Sequence, residues 1–168
     1  TAPDKSYALI STAAGVFRYV PPTTPEGAWD VTCLLVQPTS DIVATDFDGD
    51  GKLEILTFSK FHGDTLAIWH EGQTRDRYEQ VWCDPQKRSF LHALWAADLN
   101  GEKCAVIGNR KDGRDLLLVR YVDGGYTVDV IDHDLGPANC MVYRHDGSDY
   151  IVAAYRETDQ LALYKVVE

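Results

Sequence analysis

The sequence predicts an all-β fold made of repeated four-stranded antiparallel units, and three observations carry that expectation. Short runs rich in Val, Ile, Leu, Tyr, Thr and Trp recur between clusters of Gly, Asp, Pro and Asn, the alternation that marks strands and their turns. No long window keeps a 3.6-residue apolar period free of Gly, Pro or charge, so helices are not expected. A short apolar strand followed by an aspartate recurs at Asp46, Asp98 and Asp146, at intervals of 52 and 48 residues.

In chain order, strands are expected at 7–11, 16–20, 31–36, 42–45, 53–58, 66–69 and 78–82. The second half adds 94–97, 105–108, 116–121, 126–131, 141–143, 150–154 and 161–167. Each repeated aspartate follows the first strand of a unit, and a second strand comes after it. A polar turn then leads to a third strand containing Trp69, Tyr121 or Tyr164. The two middle units, 40–89 and 90–138, add a fourth strand. The stretch 1–39 matches a unit without its first strand, and 139–168 matches one without its fourth.

Four antiparallel strands in about 40–50 residues is the blade pattern of a β-propeller. The expected fold is therefore a partial propeller of about three and a half blades. Such an arc leaves sheet edges open, which proteins avoid. A second propeller segment is expected to complete the ring, either the rest of a longer chain or another copy of this one.

Composition narrows the function classes. Among 168 residues, 26 Asp and Glu against 16 Lys and Arg give a formal charge of −10. A surface that tracks phosphates needs clustered basic residues, so nucleic acid is not an expected partner. With 45% hydrophobic residues there is ample material for a core. No apolar run is long enough for a membrane-spanning helix. Thr1 to Lys5 show no basic, then greasy leader. Cys33, Cys83, Cys104 and Cys140 lie far apart with no C-x-x-C pair, which reads as reduced thiols and leaves the compartment open.

The strongest motif is Asp46-Phe47-Asp48-Gly49-Asp50-Gly51-Lys52-Leu53-Glu54. Carboxylates at positions 1, 3, 5 and 9, with glycine at 6, suit a hard divalent cation that wants six to eight oxygens. Lys52 can add its carbonyl. An EF-hand would need a bidentate Glu at position 12, where Thr57 stands, and flanking helices. A metal-free Asp-Gly turn is the competing reading.

The segment 42–69 resembles an FG-GAP/VCBS-type repeat, the calcium-loop blade of integrin α-chain heads and of many microbial propellers, some of them carbohydrate-active. The resemblance implies Asp46, Asp48, Asp50 and Glu54 as ligands of one Ca2+, to which the Lys52 carbonyl can add. The family prefers Asp at the last position, so Glu54 departs from it. The corresponding turns after Asp98 and at Asp146 are too short to build a second such site.

In a blade, the turns after the second and fourth strands lie at the end opposite the calcium loop, and a ligand is expected there. They supply Lys60, His62, Asn109, Arg110, Tyr155, Arg156 and Glu157, with His92 and Asn139 at the starts of first strands. His62 and His92 are the candidate catalytic pair, suited to acid–base work or to Zn2+ or Mn2+ with a nearby carboxylate. Arg110 and Arg156 suit a carboxylate or sugar acid. Plain hairpin turns and strand-end ion pairs are the competing reading. The leading expectation is a calcium-stabilised module that binds a carbohydrate or other polar small ligand at the channel mouth. Alternatives are a sugar lyase, dehydratase or isomerase, and a protein-interaction scaffold.

Overall fold

The computed structural model describes residues 6–167, and its structured elements are all strands. There are fourteen: β1 (Ala8–Thr12), β2 (Gly15–Val20), β3 (Asp30–Leu35), β4 (Thr39–Thr45), β5 (Glu54–Ser59), β6 (Leu66–Glu71) and β7 (Tyr78–Cys83), then β8 (Leu91–Leu99), β9 (Glu102–Asn109), β10 (Leu116–Val122), β11 (Gly125–Asp132), β12 (Pro137–His145), β13 (Ser148–Tyr155) and β14 (Gln160–Lys165). They form four antiparallel meanders, β1–β3, β4–β7, β8–β11 and β12–β14. No closed ring is formed among the described residues. The N-terminal residues 1–5 and Glu168, included in the outermost sequence units, lie outside the described residues.

The repeat is visible in the pairing itself. The register slips at the same place in β4/β5 (Thr39/Asp41), β8/β9 (Leu91/Ala93) and β12/β13 (Pro137/Asn139). A second slip recurs in β2/β3 (Val16/Phe17), β6/β7 (Ile68/Trp69) and β10/β11 (Leu116/Leu117). The pairs β1/β2, β5/β6, β9/β10 and β13/β14 run without one. Bulges re-aim a strand at a fixed point, so their recurrence aligns the sheets strand by strand. By this register β1–β3 correspond to β5–β7, and β12–β14 to β8–β10.

Direction agrees. β4 lies beside β8 and β8 beside β12, and the starts of β8 and β12 meet where His92 Nδ1 bonds the Ala138 carbonyl. β1 also lies beside β4, but there the end of β1 meets the start of β4, since Ser11 donates to the Ser40 carbonyl. β1 therefore runs opposite to the first strands of the other sheets.

Each joint between sheets buries an apolar layer. Phe58, Leu66 and Ile68 meet Leu91, Ile107 and Leu117 between the second and third sheets. Cys140, Ile151 and Ala153 meet Ala93, Val106 and Leu116 between the third and fourth. The middle strands are buried on both faces, so β5 and β9 read as continuous apolar runs rather than alternating ones. Full burial of each Leu, Ile or Phe here contributes roughly 1.5–3 kcal/mol. Tight turns need left-handed backbone, and Asn100-Gly101, Asp123-Gly124 and Asp146-Gly147 all have positive φ at both residues.

Two sheets approach closely at Gly108, where a Cβ would lie 2.5 Å from Pro137 Cγ of the next sheet and 2.9 Å from Ala93 Cβ of its own. Gly108→Ala is expected to cost about 1–3 kcal/mol through overpacking. Denaturant melts that leave the midpoint in place would show that the joint can open.

All four cysteines are unpaired. Burial pushes the Cys104 and Cys140 thiols up to about 12. They behave as small apolar groups of the core.

Candidate functional site

The turns gather chemistry at two opposite ends of the sheets. At one end the β4–β5 loop wraps on itself through its own carboxylates. Asp46 Oδ2 accepts from the Gly51 amide at 3.0 Å, Asp48 Oδ1 from the Asp50 amide at 3.1 Å, and Asp50 Oδ1 from the Lys52 amide at 2.8 Å. Gly49 and Gly51, at φ 76° and 87°, make the reversal possible. Phe47 anchors the loop, buried in the core and edge-on to Tyr126 with centroids 6.0 Å apart.

Glu54 ends this loop fully buried. Its Oε2 accepts from the Phe47 amide at 2.6 Å, while Oε1 has no hydrogen-bond partner. Asp46 Oδ1 is likewise buried and unpartnered. Burial pushes the Glu54 carboxyl up, the Phe47 amide opposes that, and Asp48 and Asp46 add repulsion. Orphaned buried oxygens beside further carboxylates are the signature of a cation's ligands, so the loop fits a divalent ion.

The four donor side chains that converge are Asp48, Asp50, Glu54 and His70, with ligand atoms all within 4.8 Å of one another. Asp46 lies outside that grouping, and Lys52, expected to offer its carbonyl, donates its amide to Asp50 Oδ1. His70 is not among the candidate residues that the sequence singled out. The signal that would have found it is hairpin register: Ile55 pairs with Trp69, which brings Glu54 opposite His70.

At the other end, the β5–β6 turn and the start of β8 bring His62 and His92 together. Their rings are nearly parallel with centroids 5.5 Å apart. His62 also stacks on Phe90 at 4.0 Å and touches Phe61 at 3.8 Å. His62 and Phe90 both have positive φ, 51° and 61°, and for a residue as bulky as Phe90 this is a strained backbone. The Arg110 guanidinium sits 5.0 Å and the Lys111 ammonium 5.2 Å from the Phe90 ring centroid.

These rings flank a cavity of about 150 Å³ lined by Ser40, Asp41, Phe58, Phe61, His62 and His92. Its size suits one ring or one polar group of a ligand, below the usual range for a whole small molecule. Burial pushes the Asp41 carboxyl up, against the Ile42 amide and His92. Desolvation pulls His62 below the usual imidazole range, helped by His92, Arg110 and Lys111.

The other candidate residues divide. Lys60 and Arg156 are exposed at the ends of β5 and β13. Arg110 and Glu157 form an ion pair with each other. Asn109 is not a ligand group on this face: it is fully buried, with Nδ2 donating to the Lys111 carbonyl at 2.6 Å and Oδ1 accepting from the Asp115 amide. Tyr155 is also buried, its hydroxyl joined to Tyr164, which donates to Asp132 at 2.6 Å. Asn139 accepts from the Cys140 amide and lines a separate, mostly apolar cavity with Trp95 and Met141. Around His62 and His92 no third metal-donor side chain joins the pair among the described residues. The two histidines that the sequence placed at one end do lie together, and Phe90, Lys111 and Asp41, which the sequence did not single out, surround them.

No protein-family model matches the chain, and no curated protein matches its sequence. Among the described residues no helix is long and apolar enough to cross a membrane.

Proposed function

We propose that the chain is an arc of a β-propeller that binds a polar small ligand, carbohydrate in class, at the end bearing His62 and His92. The carrying observation is the set of near-parallel rings, Phe90, His62 and His92, beside the exposed Phe61 and a cavity holding Asp41. Aromatic faces accept the C–H faces of sugars, while Asp41, Ser40 and the imidazoles offer hydrogen bonds to hydroxyls. At the opposite end the loop 46–54 holds a divalent cation, which the loop pattern alone reads as calcium. The recurring register slips support the blade reading.

Calorimetric titration with neutral and acidic saccharides tests the ligand class. Saturable binding by at least one of them is expected, and a flat response to the whole set overturns the reading.

One observation favours a second reading, acid–base chemistry on a sugar. Asp41 is pushed up and His62 down within one cavity, which draws their proton affinities toward each other, as two groups that exchange a proton need. Turnover of a bound saccharide would establish it.

Ring completion belongs to the same proposal. Leu161 and Leu163 are 75% and 59% exposed, yet by register they correspond to Leu116 and Leu118, which pack against the next sheet. Another propeller segment is expected to cover them. Sedimentation should show a species heavier than the monomer, shifted back by Leu163→Asp; a monomer at all concentrations would contradict self-assembly.

A further inference from the structure

We infer that His70 and the loop carboxylates form a mixed nitrogen–oxygen site that selects a first-row transition-metal cation, of the Mn2+ to Zn2+ kind, over Ca2+. The inference rests on the reading of loop 46–54 as a cation site and adds the class of ion and the nitrogen ligand.

The argument starts from the tautomer of His70. Its Nδ1 lies 2.8 Å from the Glu71 carbonyl oxygen, which can only accept, so Nδ1 carries the proton. In the neutral ring Nε2 is then a bare lone pair. That lone pair faces Asp50 Oδ2 at 3.2 Å and Glu54 Oε1 at 3.5 Å. Acceptor against acceptor is repulsive, and the arrangement is held together only by a cation or a proton between them. Fixing one ring nitrogen on a backbone carbonyl while the other points into a donor cluster is how metal-binding histidines are oriented.

Glu54 supplies the independent observation. It is fully buried, one oxygen is locked by the Phe47 amide, and the other has no hydrogen-bond partner while facing the cluster. A carboxylate oxygen with no hydrogen bond in a dry site is costly unless an ion meets it. With Asp48 and Asp50, three carboxylates and one imidazole converge. Calcium prefers oxygen ligands throughout, whereas an imidazole strengthens binding along the first transition row toward zinc.

The experiment strips the full chain with chelator and titrates MnCl2, ZnCl2, CaCl2 and MgCl2 separately, on wild type, His70→Ala and Glu54→Gln. Wild type is expected to bind Mn2+ or Zn2+ at least about tenfold more tightly than Ca2+. His70→Ala should erase most of that preference and leave Ca2+ affinity nearly unchanged. Glu54→Gln should weaken every cation. If His70→Ala does not fold, pulsed electron paramagnetic resonance of Mn2+ on wild type decides, through nitrogen coupling from the imidazole. Tighter binding of Ca2+, with no effect of His70→Ala or no nitrogen coupling, overturns the inference and leaves the cation site standing. Absence of binding by all four cations overturns both.

Discussion

Arg88→Ala is expected to destabilise the chain by about 3–5 kcal/mol, the range for removing one partner of a buried ion pair. Arg88 is 7% exposed, and its Nε donates to Asp84 Oδ2 at 2.9 Å while Nη1 lies 3.7 Å from Asp115. Both carboxylates are buried too, so the variant leaves two uncompensated charges rather than one lost contact. The surroundings are already committed: Asp84 Oδ1 accepts from the Gln86 amide, and the Asp115 amide donates to Asn109. Burial pushes the Asp115 carboxyl up and Arg88 draws it back down. Without Arg88 it should rise further, so the folded variant holds its proton more tightly than the unfolded chain. The stability deficit is therefore largest near neutral pH and shrinks as pH falls and the carboxyl protonates. Arg88→Lys should recover only part, because an ammonium cannot span both carboxylates as the guanidinium fork does. Urea melts at two pH values read this directly, and a deficit below about 1 kcal/mol would place the pair in the class of solvated surface bridges.

Strand content was legible in the sequence, and the candidate site was only half so. Strands follow from apolar runs and their turns, both local, and Asp123-Gly124 and Asp146-Gly147 announce two-residue hairpins outright. The inner strands extend further than their apolar runs: β8 runs Leu91–Leu99 and β12 Pro137–His145, because the ladder resumes beyond the slips at His92 and Ala138, pairing Leu91 with Asn109 and Pro137 with Tyr155. Asn109 and Tyr155 share the repeat position of groups at the ligand end, yet one organises its turn from within and the other ties two sheets through Tyr164 and Asp132. Repeat position fixes where a backbone lies and leaves open which way a side chain turns. His70 was hidden for the complementary reason. Its partnership with Glu54 exists only through the β5/β6 register, which has to be worked out across the hairpin and is not carried by the loop motif.

His62→Asn and His92→Ala are each expected to lower ligand affinity by at least about tenfold, or 1.4 kcal/mol, with the melting midpoint held near wild type. Asparagine is chosen at position 62 because the backbone there has φ 51°, which asparagine tolerates better than most residues. Neither ring is part of the buried core, so stability should move by no more than about 1 kcal/mol, loss of the exposed His92 bond to the Ala138 carbonyl included. The rings stack on one another, and the double variant should therefore lose less than the sum of the singles. Arg110→Ala is the contrasting variant. It frees Glu157 and uncovers Phe90, and a carboxylate left unpaired at the rim should weaken an acidic saccharide more than a neutral one. Affinities that are unchanged in both histidine variants, with melts intact, would show that the stacked rings only terminate their strands. Losses that track a drop in melting point would show instead that the rings hold the β7–β8 connector in place, and the ligand face would have to be sought elsewhere on the arc.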